Sequence, residues 1–372
     1  MQLEFRDLDE CSSYAELVRH PEPHPGQELS AESLSSRECA ITGPDAGGLR
    51  LNWGARGIPE SLLDLLIALG EEQQLVPKFR ALASGEVMNT GEGRRVLHHL
   101  LRGELAGPVL EGDRDLGAFY REQRDRVLEF AAKVRAGTIT APGGRRFRTV
   151  VQVGIGGSDL GPRALYLALA ESGIDMPLRA EFISNVDPDD ASSVLSRIDP
   201  AESLFVVVSK SGTTQETLTN QAFVEQALRE RGLDPTAQML AVTSESSPMA
   251  EPGRYLDAFF IDDSIGGRYS ATSAVGLLVL ALTCGPEAAE QILAGAHAAD
   301  RAAMEPDLRK SAAALDALLG MWERSVLGHS STAILPYAQA LHRFPAHLQQ
   351  LDMESNGKRV NRDGRPLAYQ TG

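Results

Sequence analysis

Aromatic side chains are scarce in this chain of 372 residues, where Phe, Trp and Tyr together make up 5%. So thin a set offers no stacking platform for single-stranded nucleic acid. A net charge of −15 removes the basic surface that nucleic acid or an anionic bilayer would need. Cysteine is sparser still: Cys11, Cys39 and Cys284 lack metal-binding spacing and cannot all pair, which fits a reduced, cytoplasmic compartment. The eight histidines show no ligand spacing, so no metal is expected. Residues 1–20 carry acidic side chains and no apolar run, which argues against a signal peptide. The longest apolar stretch, residues 272–284, is too short to span a bilayer and reads as a buried helix. In so acidic a chain, any anionic ligand must be held by a local positive site.

What is present is an ordinary globular composition, 42% hydrophobic, in a chain long enough for two domains. Residues 1 to 50 are rich in Ser, Pro, Gly and Glu with little periodicity, and part of that segment is expected to be loosely ordered. Leu62, Leu63, Leu65, Leu66 and Leu69 recur at helical spacing, with Gly70 as a stop. Further helix is expected over residues 94–101 and 116–134. After the turn cluster at residues 141–144, β-rich runs at 148–153, 179–184, 204–209, 238–243 and 258–262 alternate with helical stretches at 162–171, 188–196 and 214–231. Such alternation predicts an α/β fold: a doubly wound, mostly parallel sheet preceded by a helical N-terminal segment and followed by part of a second α/β domain. The expected boundaries are 1–105, 106–285 and 286–372.

Two strand-to-helix turns are suited to a ligand. In Gly-Ile-Gly-Gly-Ser-Asp-Leu-Gly-Pro (154–162), Gly154, Gly156 and Gly157 let the backbone approach a ligand, and Pro162 opens a helix. A dinucleotide fingerprint would need a third glycine where Asp159 stands. In Ser-Lys-Ser-Gly-Thr-Thr-Gln-Glu-Thr (209–217), the hydroxyls of Ser209, Ser211, Thr213 and Thr214 crowd a helix start together with Lys210. Free amides, the positive end of the helix dipole and short donors are what a phosphate dianion requires. A capping box of Thr213 and Glu216 accounts for only two of these residues.

Downstream, Arg268 stands between glycines and a helix-starting Ser270, on a bare loop that pushes its guanidinium forward to face developing negative charge. In the run from His342 to Lys358, Pro345 suits a first helical turn and Asn356-Gly357 an end. Gln350 and Glu354 then share one face, and Glu354 near the helix C-terminus meets an unfavourable dipole that makes it a better base. The bland reading of Glu354, an ion pair with Lys358, is weakened by the intervening Gly357.

These segments together resemble the glucose-6-phosphate isomerase family of sugar isomerase domains, from about residue 75 onward. The resemblance implies interconversion of glucose 6-phosphate and fructose 6-phosphate through a cis-enediol, without a cofactor. Ser209, Lys210, Ser211, Gly212, Thr213 and Thr214 would bind phosphate, with Gly157 and Ser158 beside the sugar. Glu354 would be the general base, Arg268 would face the enediolate, and Gln350 would bind substrate. A homodimer with shared active sites is implied, with hexose phosphate as partner and neither nucleic acid nor membrane. Residues 85–98 resemble another family segment, with Gly91 in place of the usual hydroxyl residue, and read as structural, Asn89 with Glu92 forming a helix cap. The family's ring-opening His and a C-terminal Lys lie beyond the position matching Gly372, so the chain is expected to stop short of them. A catalytically silent sugar-phosphate module and a dual-specificity phosphoglucose/phosphomannose isomerase are the alternatives.

Overall fold

The computed structural model describes residues 2–21 and 35–371, so part of the N-terminal segment expected to be loosely ordered lies outside the described residues. The chain begins with α1 (Ser12–Arg19), a short antiparallel pair (Glu38–Ala40 with Arg50–Asn52), α2 (Glu60–Glu72) and α3 (Leu75–Ala83). Gly70 does not stop α2. It lies inside the helix because a Cβ there would stand 2.7 Å from Leu308 Cδ1, so the glycine serves close packing. Residues 94–101 form only a 3-10 turn at His98–Leu101.

α4 (Leu116–Ala136) leads into a five-stranded sheet: β1 (Thr149–Val153), β2 (Arg179–Ile183), β3 (Ser203–Val208), β4 (Met239–Thr243) and β5 (Asp257–Phe260). The order is β2-β1-β3-β4-β5 and every pairing is parallel, with Thr149 opposite both Arg179 and Ser203. Helices α5 (Leu160–Ala170), α6 (Pro188–Arg197) and α7 (Gln215–Glu230) are the crossovers, and α8 (Ala274–Cys284) follows the last strand. The fold is therefore the expected doubly wound α/β sheet. The inner strands β3 and β4 are buried along their whole length and read as near-continuous apolar runs because helices cover both faces. Along β3, Leu204, Val206 and Val208 join the core against α4 and α8, while Phe205 and Val207 join the one against α6 and α7. That two-residue alternation divides the core into two layers.

Every residue of α8 is buried. The helical stretch Gly267–Cys284 is apolar enough by length and composition to cross a membrane, yet 72% of it is buried inside this protein. Beyond it come α9 (Pro286–Ala302), α10 (Ala312–Met321) and α11 (Phe344–Gln349). Leu315, Leu318 and Trp322 share a core with Tyr14, Leu62 and Leu66, so the N-terminal helices pack on this later part of the chain.

Because Leu278 is fully buried, Leu278→Ala should destabilise the fold by about 2–5 kcal/mol in denaturant unfolding. A change below about 0.5 kcal/mol would mean that α8 is not the core helix described.

Candidate active site

At the gap between β1 and β3 the strand order reverses, and ligands of doubly wound sheets gather at the strand ends there. The loop after β1 carries Gly156, Gly157 and Ser158, and the loop after β3 carries the Ser209 to Thr214 motif. Gln152, a buried amide in a Val-rich strand, donates from Nε2 to the Ser158 carbonyl at 2.6 Å and fixes the first loop.

In the second loop, buried Ser209 donates to Thr214 Oγ1 at 3.0 Å and accepts the Gly212 N–H at 3.1 Å. Ser211 Oγ accepts from Thr213 N and Thr213 Oγ1 at 3.2 and 2.8 Å. Gly212 takes φ +66°, and a Cβ there would overlap Ser247 Oγ, so only glycine fits. The alternative reading of this motif, a Thr213–Glu216 capping box, does not hold. The chain enters α7 one residue later, with Thr214 as N-cap and no side-chain capping bond. The result is a helix start with hydroxyls gathered around it.

Lys210 links this loop to the one bearing Arg268. Its Nζ donates to the Ile265 carbonyl at 3.1 Å and lies 3.7 Å from Asp263. Burial, with Arg94 alongside, lowers its pKa from the usual value. The Gly266–Arg268 backbone in turn lies against the β1 loop. A Cβ on Gly157 would overlap the Gly267 carbonyl and stand 2.7 Å from Arg268 N. Ser270 Oγ donates to the Gly267 carbonyl at 2.7 Å and reaches Gly157 O at 3.4 Å.

The third contributor is α11 with the π-helical turn Gln350–Glu354 that continues it. Wide turns of this kind often mark functional sites. Pro345 sits in the first turn of α11, as the sequence implied. Gln350 comes to Gly156, where a Cβ would stand 3.3 Å from Nε2, and His347 packs against Gly161 in the same manner. Glu354 Oε2 accepts from Arg268 Nη1 at 3.1 Å. Lys358 does not pair with that carboxylate but caps the helix end, donating to the Glu354 and Ser355 carbonyls. Gln350 Oε1 and His347 Nδ1 are buried without a hydrogen-bond partner.

Gly157, Ser158, Arg268, Gln350 and Glu354 thus come together at one place. The hydroxyls of Ser209, Ser211, Thr213 and Thr214 bond mainly within their own loop and reach that place through Lys210. Asn89 and Glu92 do bond each other, but in a tight turn closed by the Asn89–Arg94 bridge and not at a helix start. Sequence reasoning missed Gln152, whose signal was an amide inside a Val-rich strand. It also missed His98, whose Nε2 accepts the Gly266 N–H at 2.8 Å. Among the described residues, no group of three or more His, Cys, Asp or Glu is placed to hold a metal ion.

A doubly wound sheet with a hydroxyl-rich helix start at its switch point, beside a paired carboxylate and guanidinium, defines a protein built for small anionic ligands and proton transfer. The phosphoglucose isomerase family matches residues 53–372. Glucose-6-phosphate isomerases of Treponema pallidum and Treponema denticola are 50% and 48% identical, aligned over all of this chain and over 70% and 71% of their own lengths. The crystal structure of a glucose-6-phosphate isomerase from Chlamydia trachomatis superposes with a TM-score of 0.89 at 37% identity, covering 99% of this chain and 70% of that one. The chain belongs to the phosphoglucose isomerase family.

Gly157→Ala should force the β1 loop and the Arg268 loop apart. The expected cost is about 1–3 kcal/mol of stability, and a crystal structure of the variant should show Arg268 and Glu354 too far apart to bond. If the variant keeps full stability and the Arg268–Glu354 ion pair, the two loops do not depend on that close approach.

Proposed function

We propose that this chain, an aldose–ketose isomerase acting on glucose 6-phosphate and fructose 6-phosphate, uses Glu354 as the base that moves a proton between C1 and C2. The observation that carries this reading is the Arg268–Glu354 contact at 3.1 Å. It puts a proton acceptor beside a fixed positive charge, which is what enediol chemistry needs. Removal of the C2 proton leaves negative charge on the oxygen of the cis-enediolate, and a guanidinium facing it lowers the barrier electrostatically. Sugar entering the site would replace one partner of this ion pair.

Phosphate is assigned to the amides and hydroxyls of residues 209–214, with Lys210 supplying charge. The unpartnered Gln350 Oε1 suits a sugar hydroxyl donor. Gly157 and Ser158 are assigned to the sugar side of the cleft. The same contact of base and guanidinium counts against a catalytically silent module. Family membership supports three further proposals: a homodimer with shared active sites, a cytoplasmic location, and no role for nucleic acid or membrane. The division at residues 105 and 285 is likewise proposed.

In Glu354→Gln, inhibitor binding should persist while exchange of the C2 proton with deuterated water falls ~100- to 10,000-fold. Calorimetry with 6-phosphogluconate and NMR of the recovered sugar read the two quantities separately. Exchange at the parent rate would place the base elsewhere.

A further inference from the structure

Residues 97–102, in and just beyond the segment that the sequence marked as structural, run alongside the loop that carries Arg268. The Leu97 N–H donates to the Ser264 carbonyl at 3.2 Å. His98 Nε2 accepts the Gly266 N–H at 2.8 Å, and its ring meets Tyr269 edge-on with centroids 5.2 Å apart. Arg102 donates to Thr272 Oγ1 at 3.1 Å while gripping Asp300 with two bonds of 2.6 and 2.8 Å. The contacts fall at 264, 266, 269 and 272, so they bracket position 268 from both sides.

We propose that His98 is a positioning residue for Arg268, its neutral imidazole holding the Gly266 amide so that the guanidinium stands at the proton-transfer site. This deepens the reading above and rests on Arg268 acting at the enediolate.

Conformational freedom makes such a tether necessary. Gly266 and Gly267 precede Arg268, and two successive glycines without side chains leave the backbone free to swing. On one side Gly157 limits that swing by close approach. On the other, Gly267 has nothing within 4 Å of a built Cβ, whereas Gly266 has His98 Nε2 at 3.5 Å. Ser270 Oγ holds the Gly267 carbonyl from within the same loop, and the bond that His98 accepts is a polar tether of this glycine pair to a separate segment. It requires Nε2 to be bare, hence the proton on Nδ1, since a protonated nitrogen cannot accept. The environment keeps the ring neutral: burial pushes its pKa down to about 4, Arg102, His99 and Lys210 nearby add positive charge, and the Gly266 N–H, as a donor, bonds only the bare nitrogen.

The test uses the full chain. Nitrogen NMR of histidine-labelled protein should show His98 Nε2 unprotonated and Nδ1 protonated, without change from about pH 8 to about pH 5. That measurement needs no variant. His98→Phe keeps a ring edge against Tyr269 but lacks the acceptor. It should speed hydrogen exchange of the Gly266 amide about tenfold and lower kcat by a similar factor with KM almost unchanged. His98→Gln, whose amide oxygen can accept the same N–H, should recover most of both. A proton on Nε2, or unchanged Gly266 exchange and kcat in a folded His98→Phe, would overturn the proposal. Arg268→Ala separates the two readings. If that variant isomerises normally, the role given to Arg268 fails, while the His98–Gly266 bond is still read by exchange and NMR.

Discussion

The site depends on a place where two backbones touch. Gly157, leaving β1, lies against the peptide that joins Gly267 to Arg268, and no side chain fits between them. Because β1 is an interior strand, flanked by β2 and β3, its carboxyl end is held from both sides. A loop pressed against it inherits that fixity. Arg268 then extends from a rigid surface toward Glu354 on the π turn, and Gln350 on the same turn returns to Gly156. One strand end thereby sets the position of three groups that come from distant parts of the sequence.

Charge is managed locally in an acidic protein. The Arg268 and Glu354 side chains are 30% and 59% exposed, and ion pairs this open are worth only about 0–1 kcal/mol. Such a pair orients its members without locking them. In the proposed reaction a phosphorylated sugar, drawn by Lys210 and the start of α7, separates them at little cost and gains stronger bonds in return. Lys210 also ties the loop of residues 209–214 to the Ile265 carbonyl, within the loop that bears Arg268. In the proposed reaction, recognition of the phosphate and placement of the guanidinium share this side chain.

Much of this was legible in the sequence because its signals are local. β-rich runs alternating with helical stretches implied the parallel sheet, with strand limits within one or two residues of those observed. The hydroxyl cluster after β3 and the Gln350–Glu354 spacing likewise depend on neighbours in the chain. What stayed hidden depends on distant partners. Gly70 looks like a stop in the sequence, but Leu308, far along the chain, presses on it and makes it a packing residue. Residues 94–101 have apolar spacing that suits a helix, but they are drawn into a 3-10 turn whose polar groups, with Arg102 just after it, bond to residues 264–272 and Asp300. The capping box at Thr213 does not form because Thr213 gives its hydroxyl to Ser211 and Thr214 takes the N-cap position. Nothing in the sequence announces that Glu354 meets Arg268, since 86 residues separate them; the resemblance to the family supplied that link in advance of the geometry.

A crystal structure of the chain with fructose 6-phosphate bound tests the central claim most directly. The phosphate should lie among the amides and hydroxyls of Ser211, Thr213 and Thr214. C1 and C2 of the sugar should stand between Glu354 and Arg268, with their ion pair opened. A sugar phosphate seated elsewhere, with Arg268 and Glu354 still bonded to each other, would contradict this assignment.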